Sequence, residues 1–229
     1  MQLSSRLKAI CNMVDHCNCT ADIGTAHGYI PIYLVKNNIC NRAIASDINK
    51  GPIRKAEINI RNEDLQNKIE CRLGSGLNTI NIGEVQEIII AGMGGNLIRD
   101  IINENINIFK SVNTLILQPI QNPEVLREYI YKMGFTIVDE ELCIDENIFY
   151  EIIKVKYAKN KNNIDTIFYE VGKRLIEKKN PLVNRFINKK IDKYRTILNY
   201  IKEDGSLAKK RKLDIKNKIL RLQELIECL

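Results

Sequence analysis

Seven consecutive residues, Asp22-Ile23-Gly24-Thr25-Ala26-His27-Gly28, gather an acid, two glycines, a hydroxyl and an imidazole. An apolar run ends in the acid and the glycines follow at once. A parallel strand delivers its backbone in this way into a tight turn beneath a nucleotide-like ligand. Glycine suits the turn because it admits positive φ and keeps a Cβ away from the ligand. A dinucleotide loop would read G-x-G-x-x-G, and Ala26 stands where its second glycine belongs. That departure disfavours a dehydrogenase. The competing reading of Asp22 is a turn or helix cap.

Three further segments repeat the pattern of an apolar run opening into polar or small residues. Arg42-Ala43-Ile44-Ala45-Ser46-Asp47-Ile48 ends in an acid where a ribose hydroxyl pair would be held, about 25 residues after Asp22. Ile69 to Leu73 opens into Gly74-Ser75-Gly76, and Glu87 to Ile90 opens into Ala91-Gly92-Met93-Gly94-Gly95. A fifth run, Thr114 to Gln118, is expected to stop at Pro119. Ligands of open α/β sheets bind outside the carboxyl ends of the strands, so these loops are expected to share one rim.

D-I-G-T-x-H-x-Y-I-P (Asp22 to Pro31), the acidic strand end followed by Gly51-Pro52, A-G-M-G-G (Ala91 to Gly95) and L-I-L-Q-P (Leu115 to Pro119) occur in that order. Together they resemble the class I S-adenosylmethionine (SAM) methyltransferases and, within them, the bacterial TrmK family, the tRNA (adenine(22)-N(1))-methyltransferases. The resemblance runs from near the amino terminus to about residue 157. Ala26 and Ser75 stand where the family usually carries Asp. A serine still offers a hydrogen bond to the cofactor's adenine amino group, weaker than a charged acceptor would.

The resemblance implies SAM as cofactor and tRNA as partner, with a methyl group carried to N1 of an adenine in the D-arm. It implies a cofactor site of Asp22, Gly24, Thr25, His27, Gly28, Asp47, Ile48, Gly74, Ser75, Gly76, Ala91, Gly92, Met93 and Gly94. Asp22 would orient the methionine ammonium, directly or through water, with the N–H groups of Gly24 to Gly28 on the carboxylate. Asp47 would hold the ribose hydroxyls. His27, Tyr29 and Met93 are the candidate catalytic residues, Met93 as a wall of the transfer pocket. Tyr29 and Tyr150 are candidates for stacking the target base, with Gln118, Pro119 and Asn122 reading its edge.

These residues need positioning elements. Strands near 19–24, 42–48, 69–73, 86–91 and 113–118 alternate with helical stretches Tyr29–Lys36, Ile53–Asn62 and Leu97–Asn105. That rhythm predicts right-handed βαβ units. After a helix at Glu124–Met133, the runs Phe135–Leu142 and Ile148–Tyr157 read as two last strands. The expected fold is α/β, a Rossmann-like, doubly wound, mostly parallel seven-stranded sheet. Leu3, Leu7, Ile10 and Val14 predict a leading helix, which would also carry His16 in a structural role. The connector Lys159-Asn160-Lys161-Asn162-Asn163 separates a SAM-binding domain, 1–158, from a second domain, 164–229. There Phe168, Val171 and Leu175, then Leu182, Phe186, Ile187, Ile191, Tyr194, Leu198 and Ile201, recur at helical steps. A turn at Asp204-Gly205-Ser206 precedes Ile215, Ile219, Leu222, Ile226 and Leu229. The pattern predicts a C-terminal helical hairpin with a coiled-coil-like seam, opened near Pro181.

Charge is divided unevenly between the two parts. Residues from Ala158 onward hold 19 Lys+Arg against 9 Asp+Glu, while residues 1–157 hold 16 against 19. A basic appendage on a nucleotide-binding domain points to a polyanion, most simply RNA rather than DNA. The plainer reading is a solvated helical surface. The seven cysteines lack zinc-type C-x-x-C spacing and are expected to be free thiols, mostly in the core, with no metal. Without signal-type or membrane-spanning runs, the chain is expected to be cytoplasmic, off the membrane, and a monomer or weak homodimer.

Adenine N1 carries a lone pair at neutral pH, so in-line attack on a methyl donor needs alignment and desolvation more than a base. This fits a rim of small residues with no Ser-His-Asp or Cys-His set. A thiol-dependent cytosine-C5 enzyme would need a cysteine within Ile88–Gly95, and none is there. Amino-group enzymes commonly carry [DNS]-P-P-[YF] at that place. The remaining alternatives are a small-molecule SAM methyltransferase with a dimerising helical tail, and a catalytically silent tRNA-binding protein, suggested by Ala26 and Ser75.

Overall fold

In a computed structural model describing residues 2–159, 164–202 and 205–229, the β-rich runs form one seven-stranded sheet. Its strands are β1 (Cys17–Ile23), β2 (Cys40–Asp47), β3 (Ile69–Leu73), β4 (Glu87–Gly94), β5 (Thr114–Gln121), β6 (Phe135–Asp145) and β7 (Ile148–Tyr157). They lie in the order β3-β2-β1-β4-β5-β7-β6. Pairing is parallel from β3 through β5 and antiparallel at β5–β7 and β7–β6. The order turns back between β1 and β4, which creates the crevice where such sheets bind ligands. Ile88, Ile89 and Ile90 are fully buried, as a central strand covered on both faces requires.

Helix α1 (Ser5–Asn12) precedes β1, and five helices and a 3-10 turn connect the strands: α2 (Tyr29–Lys36), α3 (Lys50–Asn62), the turn Gly76–Thr79, α4 (Gly95–Glu104), α5 (Ile106–Ser111) and α6 (Pro123–Lys132). Helix α1 starts at a Ser4 cap, whose hydroxyl accepts the Leu7 N–H at 3.4 Å, and it stops before His16. His16 is therefore an exposed loop residue, not a helical one. Strand β5 does not stop at Pro119 but runs on to Gln121. The ladder absorbs the proline, which has no N–H to give, through register shifts opposite Met93.

The chain divides into two compact units, Met1–Asn163 and Ile164–Leu229. The second contains α7 (Ile167–Glu170), α8 (Lys173–Glu177), α9 (Val183–Tyr200) and α10 (Ser206–Glu227). Phe186, Ile187 and Ile191 of α9 and Ile215 and Leu222 of α10 supply the buried stripe that the spacing predicts. Leu198 and Ile226 are only half-buried, and Ile167 is buried where Phe168 is not. Pro181 stands one residue ahead of the Leu182 cap, outside α9. Glu170, 4% exposed, accepts the Tyr194 hydroxyl at 2.6 Å and pairs with Lys190 and Lys218, tying α7 to both long helices. Of the expected connector and turn, residues 160–163 and Asp204 lie outside the described residues.

Among the described residues, no helix is long and apolar enough to cross a membrane, and no cluster of His, Cys, Asp or Glu is arranged to hold a metal ion. All seven cysteines are free. Burial pushes the Cys11, Cys17 and Cys40 thiols up to about 12, which keeps them protonated at neutral pH.

Candidate active site

The turn after β1 is built by short polar contacts. Gly24 and Thr25 donate their N–H groups to the Ser46 carbonyl at the end of β2, both at 2.8 Å. The Thr25 hydroxyl accepts the Gly28 N–H at 3.2 Å. Thr25, not Asp22, thus closes the turn before α2. Gly24 and Gly28 take φ of +80° and +70°, a region open to glycine. A Cβ on Gly24 would sit 2.0 Å from the Met93 terminal methyl, so that side chain fills the notch the glycine leaves.

A cavity of about 340 Å3 opens between the ends of β1 and β4. Asp22, Gly24, Thr25, His27, Tyr29, Ala91 and Gly92 all line it. The rings of His27 and Tyr29 are stacked, 5.0 Å between centroids and 12° apart in plane. Asn59 on α3 anchors the His27 carbonyl at 2.9 Å.

Asp22 is 5% exposed, and burial pushes its carboxyl up to about 6 against the help of a Thr25 hydrogen bond, with Asp47 adding to the rise. A raised folded value favours the protonated form. Its stabilising contribution is complete below the unfolded value of 3.8 and is lost as pH rises through about 6. A cation placed against Asp22 must reverse that preference. A ligand ammonium seated there should therefore bind about tenfold more weakly at pH 5 than at pH 7. Calorimetric titration of S-adenosyl-homocysteine across that range checks this, and Asp22→Asn should flatten the profile.

The other expected residues lie along the same rim, outside that cavity. Asp47 ends β2, half-buried, with Oδ1 accepting the Asn49 N–H at 2.7 Å, and Ile48 beside it is 64% exposed. Gly74, Ser75 and Gly76 follow β3, where the exposed Ser75 caps the 3-10 turn through its backbone and leaves its hydroxyl outside the cap. Gly94 ends β4, and a Cβ on Gly95 would meet the Asn122 carbonyl at 2.3 Å. Asn122, at φ +51°, is thereby held against the start of α4. Pro119 and Tyr150 sit on β5 and β7. Gln118 is fully buried, its oxygen on Arg6 at 2.8 Å and its nitrogen on the Pro119 carbonyl at 3.0 Å, so its amide is spent within the protein.

Arg6 is the residue that spacing alone missed. It lines the cavity from α1 and stands over the Tyr150 ring at 5.4 Å. The available signal was its place three residues after Leu3 and four before Ile10, on the apolar stripe of that helix.

A model of the methyltransferase domain matches residues 3–153. The chain is 29% identical to the Bacillus subtilis tRNA (adenine(22)-N(1))-methyltransferase, over 99% of this chain and 98% of that one. The crystal structure of the B. subtilis m1A22 tRNA methyltransferase TrmK superposes with a TM-score of 0.89 at 28% identity, covering 98% and 99% of the two chains. The chain belongs to the TrmK family. A third member, TrmK from Mycoplasma capricolum in complex with the natural cofactor product S-adenosyl-homocysteine, superposes at 0.85 with 26% identity over 100% and 99% of the chains. The residues that line the cavity belong to the motifs by which this chain resembles the TrmK family, Arg6, Leu7 and Ala26 excepted.

Two observations fit a TrmK cofactor to this rim. Asp22 is a buried acid facing the cavity, and the buried Ser46 hydroxyl beside Asp47 has no hydrogen-bond partner.

Proposed function

We propose that this chain is a SAM-dependent methyltransferase that acts on N1 of adenine 22 in the D-arm of tRNA. The observation that carries the reading is the buried Asp22 in a glycine-walled cavity, in a chain that matches tRNA (adenine(22)-N(1))-methyltransferases along its whole length. The relatives' names favour it over a small-molecule substrate with a dimerising tail, and over a silent tRNA binder.

When bound, SAM supplies an electrophilic methyl group on a sulfonium. Asp22 holds the amino-acid end, and Asp47 the ribose hydroxyls. Ile48 and the Gly74-Ser75-Gly76 turn border the adenine. Ala91, Gly92 and Gly94 keep the β4 end low so that a flipped base can approach, with Met93 as one wall. The His27–Tyr29 stack faces that base from the other side, Tyr29 as platform and His27 as its support. Pro119, Asn122 and Tyr150 border the base, and Gln118 acts from behind them. Excluding water and aligning the N1 lone pair are this protein's main contributions. Replacing adenine 22 by guanine in an unmodified tRNA should abolish transfer of labelled methyl from SAM, and undiminished transfer would overturn the reading.

The second unit, residues 164–229, grips tRNA through its cations. The protein works in the cytoplasm as a monomer or weak homodimer, without metal, DNA or membrane. Replacing exposed Lys209, Lys210 and Arg211 by Gln should lower tRNA affinity about tenfold near 0.1 M salt and flatten its salt dependence. Filter binding across a salt series measures both effects, and S-adenosyl-homocysteine affinity should not move.

A further inference from the structure

Three of the five N–H groups of the glycine turn, Gly24 to Gly28, are committed within the protein and are not free for an amino-acid carboxylate. The Gly24, Thr25 and Gly28 N–H groups are already spent on Ser46 and Thr25. The cavity that Gly24 and Thr25 line contains one guanidinium, that of Arg6, which reaches it past the bare backbone of Gly92 at φ +78°. A Cβ on Gly92 would stand 3.6 Å from Arg6 Nη1.

Arg6 is fixed but not neutralised. Its Nη1 donates to Gln118 at 2.8 Å, and the Pro119 carbonyl locks the other end of that amide. Tyr150 lies against the guanidinium at 5.4 Å, and the Arg6 main-chain N–H is on Asp145 at 3.3 Å. Among the described residues, no carboxylate forms an ion pair with the guanidinium. The fully buried Gln118 thus orients a cation that still lacks an anion.

We propose that Arg6 receives the carboxylate of the cofactor's amino-acid end, with Gln118 as its positioning residue, an inference that rests on the cofactor reading above. The cavity then has an acid, Asp22, and a base, Arg6, for the two ends of one zwitterion. An RNA phosphate offers the same oxyanion chemistry, but it would leave the ammonium partner Asp22 without a matching charge in the ligand.

The test compares S-adenosyl-homocysteine with its decarboxylated analogue, which lacks only the carboxylate, by calorimetric titration. Arg6→Met should weaken the first by about ten- to a hundredfold and the second by no more than about twofold. Gln118→Leu should move the same ratio in the same direction by less, and Arg6→Lys should restore part of it. These two variants carry the test should Arg6→Met not fold. Equal losses for both ligands, or no loss for either, would overturn the proposal. So would a loss confined to tRNA affinity, which would assign Arg6 to a phosphate. A wild-type chain that bound neither ligand would instead bring down the cofactor reading, and this one with it.

Discussion

Asp47→Ala lowers the affinity for S-adenosyl-homocysteine by roughly a hundredfold, while tRNA affinity stays within about twofold. A carboxylate accepting two ribose hydroxyls at about 1.5 kcal/mol each, the lower end for hydrogen bonds to a charged group, contributes about 3 kcal/mol, which sets that scale. The fold should survive the change, because the main chain of Asp47 does the structural work there. Its carbonyl accepts the Gly74 N–H at 3.0 Å, and its register opposite Leu73 is set by the ladder. Among the described residues, the side-chain bond lost is the one from the Asn49 N–H. Calorimetry for the nucleoside and filter binding for tRNA separate the two affinities. Parallel loss of both would mean that the domain had come apart, and an unchanged nucleoside affinity would remove Asp47 from the site.

Arg127→Met destabilises the sheet domain by about 3–5 kcal/mol. Arg127 on α6 is fully buried and pairs with Glu140 at 2.8 Å and Glu151 at 2.7 Å, on β6 and β7. One guanidinium thus serves two carboxylates. Removing it leaves both acids facing each other out of water, which costs far more than the lost packing. Adding Glu140→Leu and Glu151→Leu should recover most of the stability, since an apolar trio need not be paired. Urea unfolding of the three proteins reads this directly. Helix α6 begins at Pro123, directly after the rim residue Asn122, so the single variant should also weaken cofactor binding.

Much of the fold was legible because β4 and β7 carry β-branched runs and the carboxyl ends of β1 to β4 are marked by an acid or a glycine. Helix α2 spans the residues its pattern predicts, bounded by Gly28 and the Asn37 cap. What escaped depends on contacts between distant segments. Strand β5 passes Pro119 only because Met93 and Gly94 shift the facing register, which no local rule reports. His16 follows apolar residues at helical spacing, yet α1 ends at Asn12. In the site, the motif residues were visible as types and spacing. The pairing of Arg6 with Gln118 spans 112 positions and shows only when α1 is laid beside β5. Nor does spacing reveal that three N–H groups of the turn are already committed.

The most direct test is reverse transcription across an unmodified tRNA after incubation with this protein and SAM. N1-methyladenine cannot form a Watson–Crick pair, so transfer to the proposed atom should give a new stop at adenine 22 that requires SAM. A stop elsewhere, or none while S-adenosyl-homocysteine still binds, would contradict the proposed target.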